Sequence, residues 1–200
     1  MISFRSSLAS LNFSREMKIW SIYFLTIFLS IFLHELCHCI PAWIGGIRAI
    51  PTPSKEYLLD SIPESLIEYV SLGGIIGTVL FSLVGIAFYL NKNTKYNSAI
   101  LAGAIANPGI YALRFLIVGR GHDATEFQEA QSALGLKYSG HSLDWLFITL
   151  LIIGVIAWIA KSKPSYKILG RLFIGLILTI IFIIGLQVVN NAIFDPIFNT

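Results

Sequence analysis

Residues 19–44 read IWSIYFLTIFLSIFLHELCHCIPAWI. A helix through a bilayer core about 30 Å thick needs about 20 mainly apolar residues, and this run exceeds that before Gly45 and Gly46 end it. It is therefore expected to be a transmembrane helix. Its one polar interruption is His34-Glu35-Leu36-Cys37-His38. From Ile19 to Leu33 the helix climbs about 22 Å, which puts these ionisable groups inside the apolar layer but nearer its far face.

Working outward, Arg5, Arg15 and Lys18 precede the run as in a signal sequence. The run is too long and too polar at its far end for a cleaved signal, so it reads as an uncleaved anchor. After it, Arg48 to Ser65 is polar, with Pro51, Pro53 and Pro63 disfavouring a helix, while Ile47 to Ile50 suits a short edge strand. Further apolar runs at about 66–90, 97–118, 143–160 and 169–194 predict four more spans. Gly73, Gly74, Gly77 and Gly85 offer small surfaces for close packing in the second. Asn107-Pro108-Gly109 should break the hydrogen-bond ladder of the third. Irregular backbone at that depth is tolerated where protein or a cavity covers it.

The expected fold class is thus all-α: a polytopic membrane helix bundle of about five transmembrane helices, with a possible short β element after the first. One integral-membrane domain accounts for residues 1–200, with a core at about 19–125 and additional helices at about 143–194. The composition agrees, being 56% hydrophobic and 12% charged with mean hydropathy +0.76. The net charge of +3 is small and its basic residues are scattered among loops, so no nucleic-acid partner is expected. Cys37 and Cys39 stand two apart on one helix, where their side chains diverge too far for a mutual disulfide.

Five spans put the N-terminus and the loops at Asn91 and Lys161 on one side. Their Lys and Arg residues number three, two and four, against Arg48, Lys55, Arg120 and Lys137 opposite. The positive-inside rule then predicts a cytoplasmic N-terminus, with the C-terminus extracytoplasmic or lumenal.

His34 and His38 are one helical turn apart and face the same way, so both imidazoles can reach one zinc ion at about 2.0–2.1 Å. Glu35 beside them is placed to take a proton from a zinc-bound water and deliver it to a leaving amine. Ionisable groups in hydrocarbon are expensive and mark function more often than packing, although polar pairing that holds the bundle together is the plain alternative. A third ligand is needed. His122 and Asp123 are alternatives for it, in a Gly-Arg-Gly-His-Asp segment that can fold back toward the membrane on the side to which the histidines point. His141 is more simply a polar residue before the fourth span.

These residues resemble the site-2 protease class of intramembrane zinc metallopeptidases, peptidase family M50. In that class a His-Glu-x-x-His helix is followed by a second helix and then a third that contributes an aspartate ligand. Here the order His34, Glu35, His38 and then Asp123 is similar, as is the small, apolar, glycine-closed end Cys39-Ile-Pro-Ala-Trp-Ile-Gly-Gly46. The likeness covers roughly the first three spans. It departs where Ala124 follows Asp123 in place of Gly, and where Asn107-Pro108 stands fifteen residues ahead. The resemblance implies hydrolysis of a peptide bond in or near the membrane, with a membrane protein or peptide as substrate and lipids as surroundings. The alternatives are a zinc-dependent hydrolase of lipid amides and a non-catalytic metal-binding scaffold or transporter.

Other polar groups are expected around the same layer. Arg114 and Glu68 lie near the outer ends of their spans, where an ion pair between them is the simpler expectation than contact with substrate or ligand. Asn107 at the broken span, and Asn190 with Gln187 and Asn191 in the last, could bind substrate backbone or bond between helices.

Overall fold

The computed structural model describes residues 13–119, 124–136, 141–162 and 166–198. Helix α1 (Phe13–Ile44) leads into strands β1 (Ala49–Pro51) and β2 (Glu56–Leu58). Then follow α2 (Glu64–Asn91), α3 (Asn97–Ala104), α4 (Ala106–Val118), α5 (Ala124–Ala133), α6 (Ser142–Lys161), α7 (Tyr166–Ile193) and α8 (Asp195–Phe198). Among the described residues four helices are long and apolar enough to cross a membrane, or five if α3 and α4, bent by 48°, count as one broken span. The chain is a multi-pass helix bundle. Leu80, Val84, Ile117, Ile156 and Ile181 are exposed on its flanks, as lipid-facing side chains should be.

Each expected apolar run is helical, and the breaks have local causes. Helix α1 stops in a Schellman turn: Gly46 adopts φ +78°, Ile47 N–H donates to Ala42 O at 2.9 Å, and Gly46 N–H to Trp43 O at 3.1 Å. Trp43 Nε1 then donates to Ala49 O at 2.9 Å and directs the chain into β1. That strand pairs antiparallel with β2, with Ile50 opposite Tyr57. Across the hairpin's base, Arg48 NH2 meets Asp60 Oδ1 at 2.7 Å.

Pro108 has no N–H to give to the carbonyl four residues back, that of Ala104. The chain bends between α3 and α4, and Ser82 Oγ of α2 supplies the missing donor to Ala104 O at 2.9 Å. This is the interruption expected from Asn107-Pro108, displaced one turn toward the N-terminus because the lost bond lies there.

Glycines let α2 approach α1 and α3 closely. A Cβ on Gly73 would lie 2.3 Å from the Cys37 carbonyl oxygen, which Pro41 deprives of its helical donor. One on Gly85 would lie 2.3 Å from Ala104 Cβ. At the far end of α2, Lys161 Nζ donates to the carbonyls of Tyr89, Leu90 and Lys92 at 2.8–2.9 Å, capping the helix with a cation.

Helix α5 is too short and polar to span. Its Phe127 and Ala130 are buried with Ile75, Tyr111, Leu143 and Phe147, in a core that joins α2, α4, α5 and α6. Two hydrogen bonds of 2.5 Å, Ser71 Oγ to Glu129 Oε2 and Ser132 Oγ to Glu68 Oε1, fasten α5 along α2. Glu68 is therefore turned to Ser132. The expected Glu68–Arg114 pair does not occur among the described residues, where Arg114 is exposed on α4.

Candidate metal centre

His34 and His38 are buried on the α2-facing side of α1. His34 Nδ1 lies 2.8 Å from Gly74 O and 2.9 Å from Thr78 Oγ1, and His38 Nδ1 lies 2.7 Å from Val70 O. A carbonyl only accepts, so each Nδ1 carries hydrogen, and Nε2 is the ring atom left to meet a metal. The two Nε2 atoms face each other at 3.1 Å. Room for this comes from Gly74, where a Cβ would lie 2.1 Å from His38 Nε2. Asn107 Nδ2 lies 3.4 Å from Thr78 Oγ1, so the broken span stands behind His34.

Glu126 completes the group. Its Oε1 is 3.6 Å from both Nε2 atoms, beyond hydrogen-bond range of either. Ligand atoms around a tetrahedral zinc ion stand about 3.3 Å apart, so separations of 3.1, 3.6 and 3.6 Å fit one ion between two imidazoles and a carboxylate. His34, His38 and Glu126 are able to hold a metal.

Glu35 faces the hairpin instead of this point. Glu35, His38 and Glu56 carry potential ligand atoms within 4.8 Å of one another, and Glu35 is 8% exposed. A cavity of about 330 Å³ opens over both groups, walled by Glu56 and Lys55 from the hairpin, Ser71 from α2, Tyr111 from α4 and Thr125 from α5. Lys55 Nζ lies 3.3 Å from Asp195 Oδ1, which ties the hairpin to α8.

The residues singled out from the sequence are not all brought together. His34 and His38 share one face of α1, Glu35 beside them is turned to Glu56 of the hairpin, and Asn107 is linked to His34 through Thr78. His122 and Asp123 lie outside the described residues. Asn190 is far along α7 and serves the hairpin: its Nδ2 donates to Tyr57 OH at 2.8 Å and its Oδ1 accepts from Thr52 Oγ1 at 2.5 Å. His141 adopts φ +47° before α6 and lies 3.2 Å from Asp144 Oδ2, a helix-entry contact. Cys37 Sγ packs toward Gly77, and Cys39 is buried among Ala42, Ala49 and Val70; both are free thiols.

Glu126 and Glu56 were not among the expected residues. Glu126 had a signal in the sequence: it adjoins Phe127 and stands four before Ala130 on the inward face of an amphipathic helix. Glu56 had none, since a loop carboxylate three residues after Pro53 reads as solvated. No family model, curated protein or solved structure matches the chain.

Proposed function

We propose that this protein is an intramembrane zinc metallopeptidase, with His34, His38 and Glu126 holding zinc and Glu35 as general base. The observation that carries the reading is the pair of Nε2 atoms facing each other 3.1 Å apart, each ring fixed by its Nδ1 on an α2 carbonyl. Such support for the far ring nitrogen sets the tautomer and orientation that a ligating imidazole needs. The resemblance of His34-Glu35-x-x-His38 to the site-2 protease class gives the reaction type.

When bound, zinc lowers the pKa of a water to about 7 and polarises the scissile carbonyl. Glu35, one residue from the first ligand and facing the cavity, takes the proton at its carboxylate and returns it to the leaving amine. Glu56 of the hairpin stands beside Glu35 at the cavity wall. The strands also offer backbone edges to which an extended peptide can add beside the cavity. The excess of Lys and Arg on the N-terminal side supports a cytoplasmic N-terminus with the metal-site end on the other side.

Purified protein is the test. Metal analysis should find zinc in wild type and Glu35→Gln, while Glu35→Gln lowers peptide cleavage by about 10²–10⁴-fold. Unchanged cleavage in that variant overturns the mechanism, and cleavage of acyl-amide lipids without any cleavage of peptides overturns the substrate class.

A further inference from the structure

A second cleft of about 330 Å³ lies at the opposite end of the bundle, between α1, α3, α6 and α7. Trp20 on its wall is fourteen residues before His34, which puts the two sites about 21 Å apart along α1. The metallopeptidase reading uses none of its residues.

Three cations from three segments line its rim: Arg15, Lys95 and Arg171. No carboxylate lines it among the described residues. Glu16 is the sole acidic residue of segments 1–18, 91–97 and 161–171, and it is hydrogen-bonded to Arg171. The rim therefore keeps an excess of positive charge. Below it the wall is apolar, with Leu101, Ile105 and Val155, and aromatic, with Trp20 and Trp158. Indole rings and cations at helix ends mark the headgroup layer of a bilayer, and an apolar groove continuing into the hydrocarbon accepts an acyl chain.

We infer that this cleft is a binding site for an acidic glycerophospholipid, its phosphate among Arg15, Lys95 and Arg171 and one acyl chain between α3 and α6. A zwitterionic lipid presents no net charge to the rim, and a soluble phosphate does not use the apolar wall. Binding there ties α7, which meets α1 at Trp20, Tyr23 and Phe24, to α1 and α3 at the membrane surface.

The test uses the full chain with Trp43→Phe and Trp145→Phe, which leaves Trp20 and Trp158 as its tryptophans. Reconstituted in phosphatidylcholine vesicles, it is titrated with brominated phosphatidylglycerol or brominated phosphatidylcholine, and quenching is read. Half-quenching should need a several-fold lower mole fraction of the acidic lipid. Lys95→Gln should weaken that preference about fivefold, and Lys95→Arg should restore it. Lys18→Gln, an exposed charge at the same end but outside the cleft, should leave it unchanged. Equal curves for the two lipids overturn the proposal. So does an effect of Lys18→Gln as large as that of Lys95→Gln, which means diffuse surface charge. Loss of the preference in excess inorganic phosphate also overturns it, by identifying a soluble anion as the occupant.

Discussion

His34 and His38 meet through their Nε2 atoms at 3.1 Å while α2 holds both rings from behind. Two lone pairs at that distance repel unless a proton or a cation lies between them. With Glu126 Oε1 at 3.6 Å from each, the three ligand atoms leave a place that one metal ion would fit.

Glu126→Ala should therefore weaken zinc binding more than about a hundredfold, since even partners behind a ligand are worth about 10–100-fold. Competition with a chromophoric chelator measures it, beside His122→Ala and Asp123→Ala. Full retention of affinity in Glu126→Ala with its loss in Asp123→Ala would transfer the third ligand to Asp123.

Gly74 and Gly73 should behave differently although they are neighbours. An alanine Cβ at Gly74 meets an imidazole 2.1 Å away, whereas at Gly73 it meets the Cys37 backbone carbonyl at 2.3 Å. Gly74→Ala should abolish zinc binding by displacing His38 with a modest loss of stability. Gly73→Ala, which must separate two helices, should cost about 1–3 kcal/mol or more. Thermal unfolding in detergent alongside metal analysis distinguishes them; equal zinc content in both variants would contradict this account.

Ser82→Ala should destabilise by about 1–3 kcal/mol, because it strands the Ala104 carbonyl that Pro108 cannot serve. In a Pro108→Ala background the restored N–H takes over, and the cost should shrink. A double-mutant cycle in which Ser82→Ala costs the same in both backgrounds would show that Ser82 acts elsewhere.

Tyr57 titrates late. Burial, and then its 2.6 Å hydrogen bond to Asp195, push its hydroxyl up to about 12. A raised value means that the folded chain prefers the neutral phenol, so this contribution is complete below about pH 10 and is lost as pH rises toward about 12. Hydrogen exchange at Leu59 N–H, which donates to Arg48 O, should accelerate over that window beyond the intrinsic rate. Tyr57→Phe should remove the extra acceleration.

What the sequence made legible was local. A motif with i, i+4 spacing fixes which two rings share a face, apolar run length locates the spans, and Pro108 names the carbonyl it abandons. The hairpin's first strand could be suspected from Ile47 to Ile50, yet its partner Glu56–Leu58 could not, because pairing across Pro53 depends on packing against α1. Glu126 reaches the histidines only because α5 lies along α2, through contacts between residues some sixty positions apart. Glu68 and Arg114 looked complementary by depth. Depth alone carries no information about azimuth, and Ser132 stands where Arg114 was expected.

The latch of Asn190 on Thr52 and Tyr57 sets an order of events during synthesis. A chain emerging from the ribosome brings the two histidines against α2 once that helix inserts, and the hairpin already rests on α1 through Trp43 and Ala49, but Thr52 and Tyr57 have no Asn190 to hold them until α7 is made. The arrangement leaves that wall of the cavity unbraced until the last long helix is in place, so a half-translated molecule carries the histidine pair before the finished chamber over it.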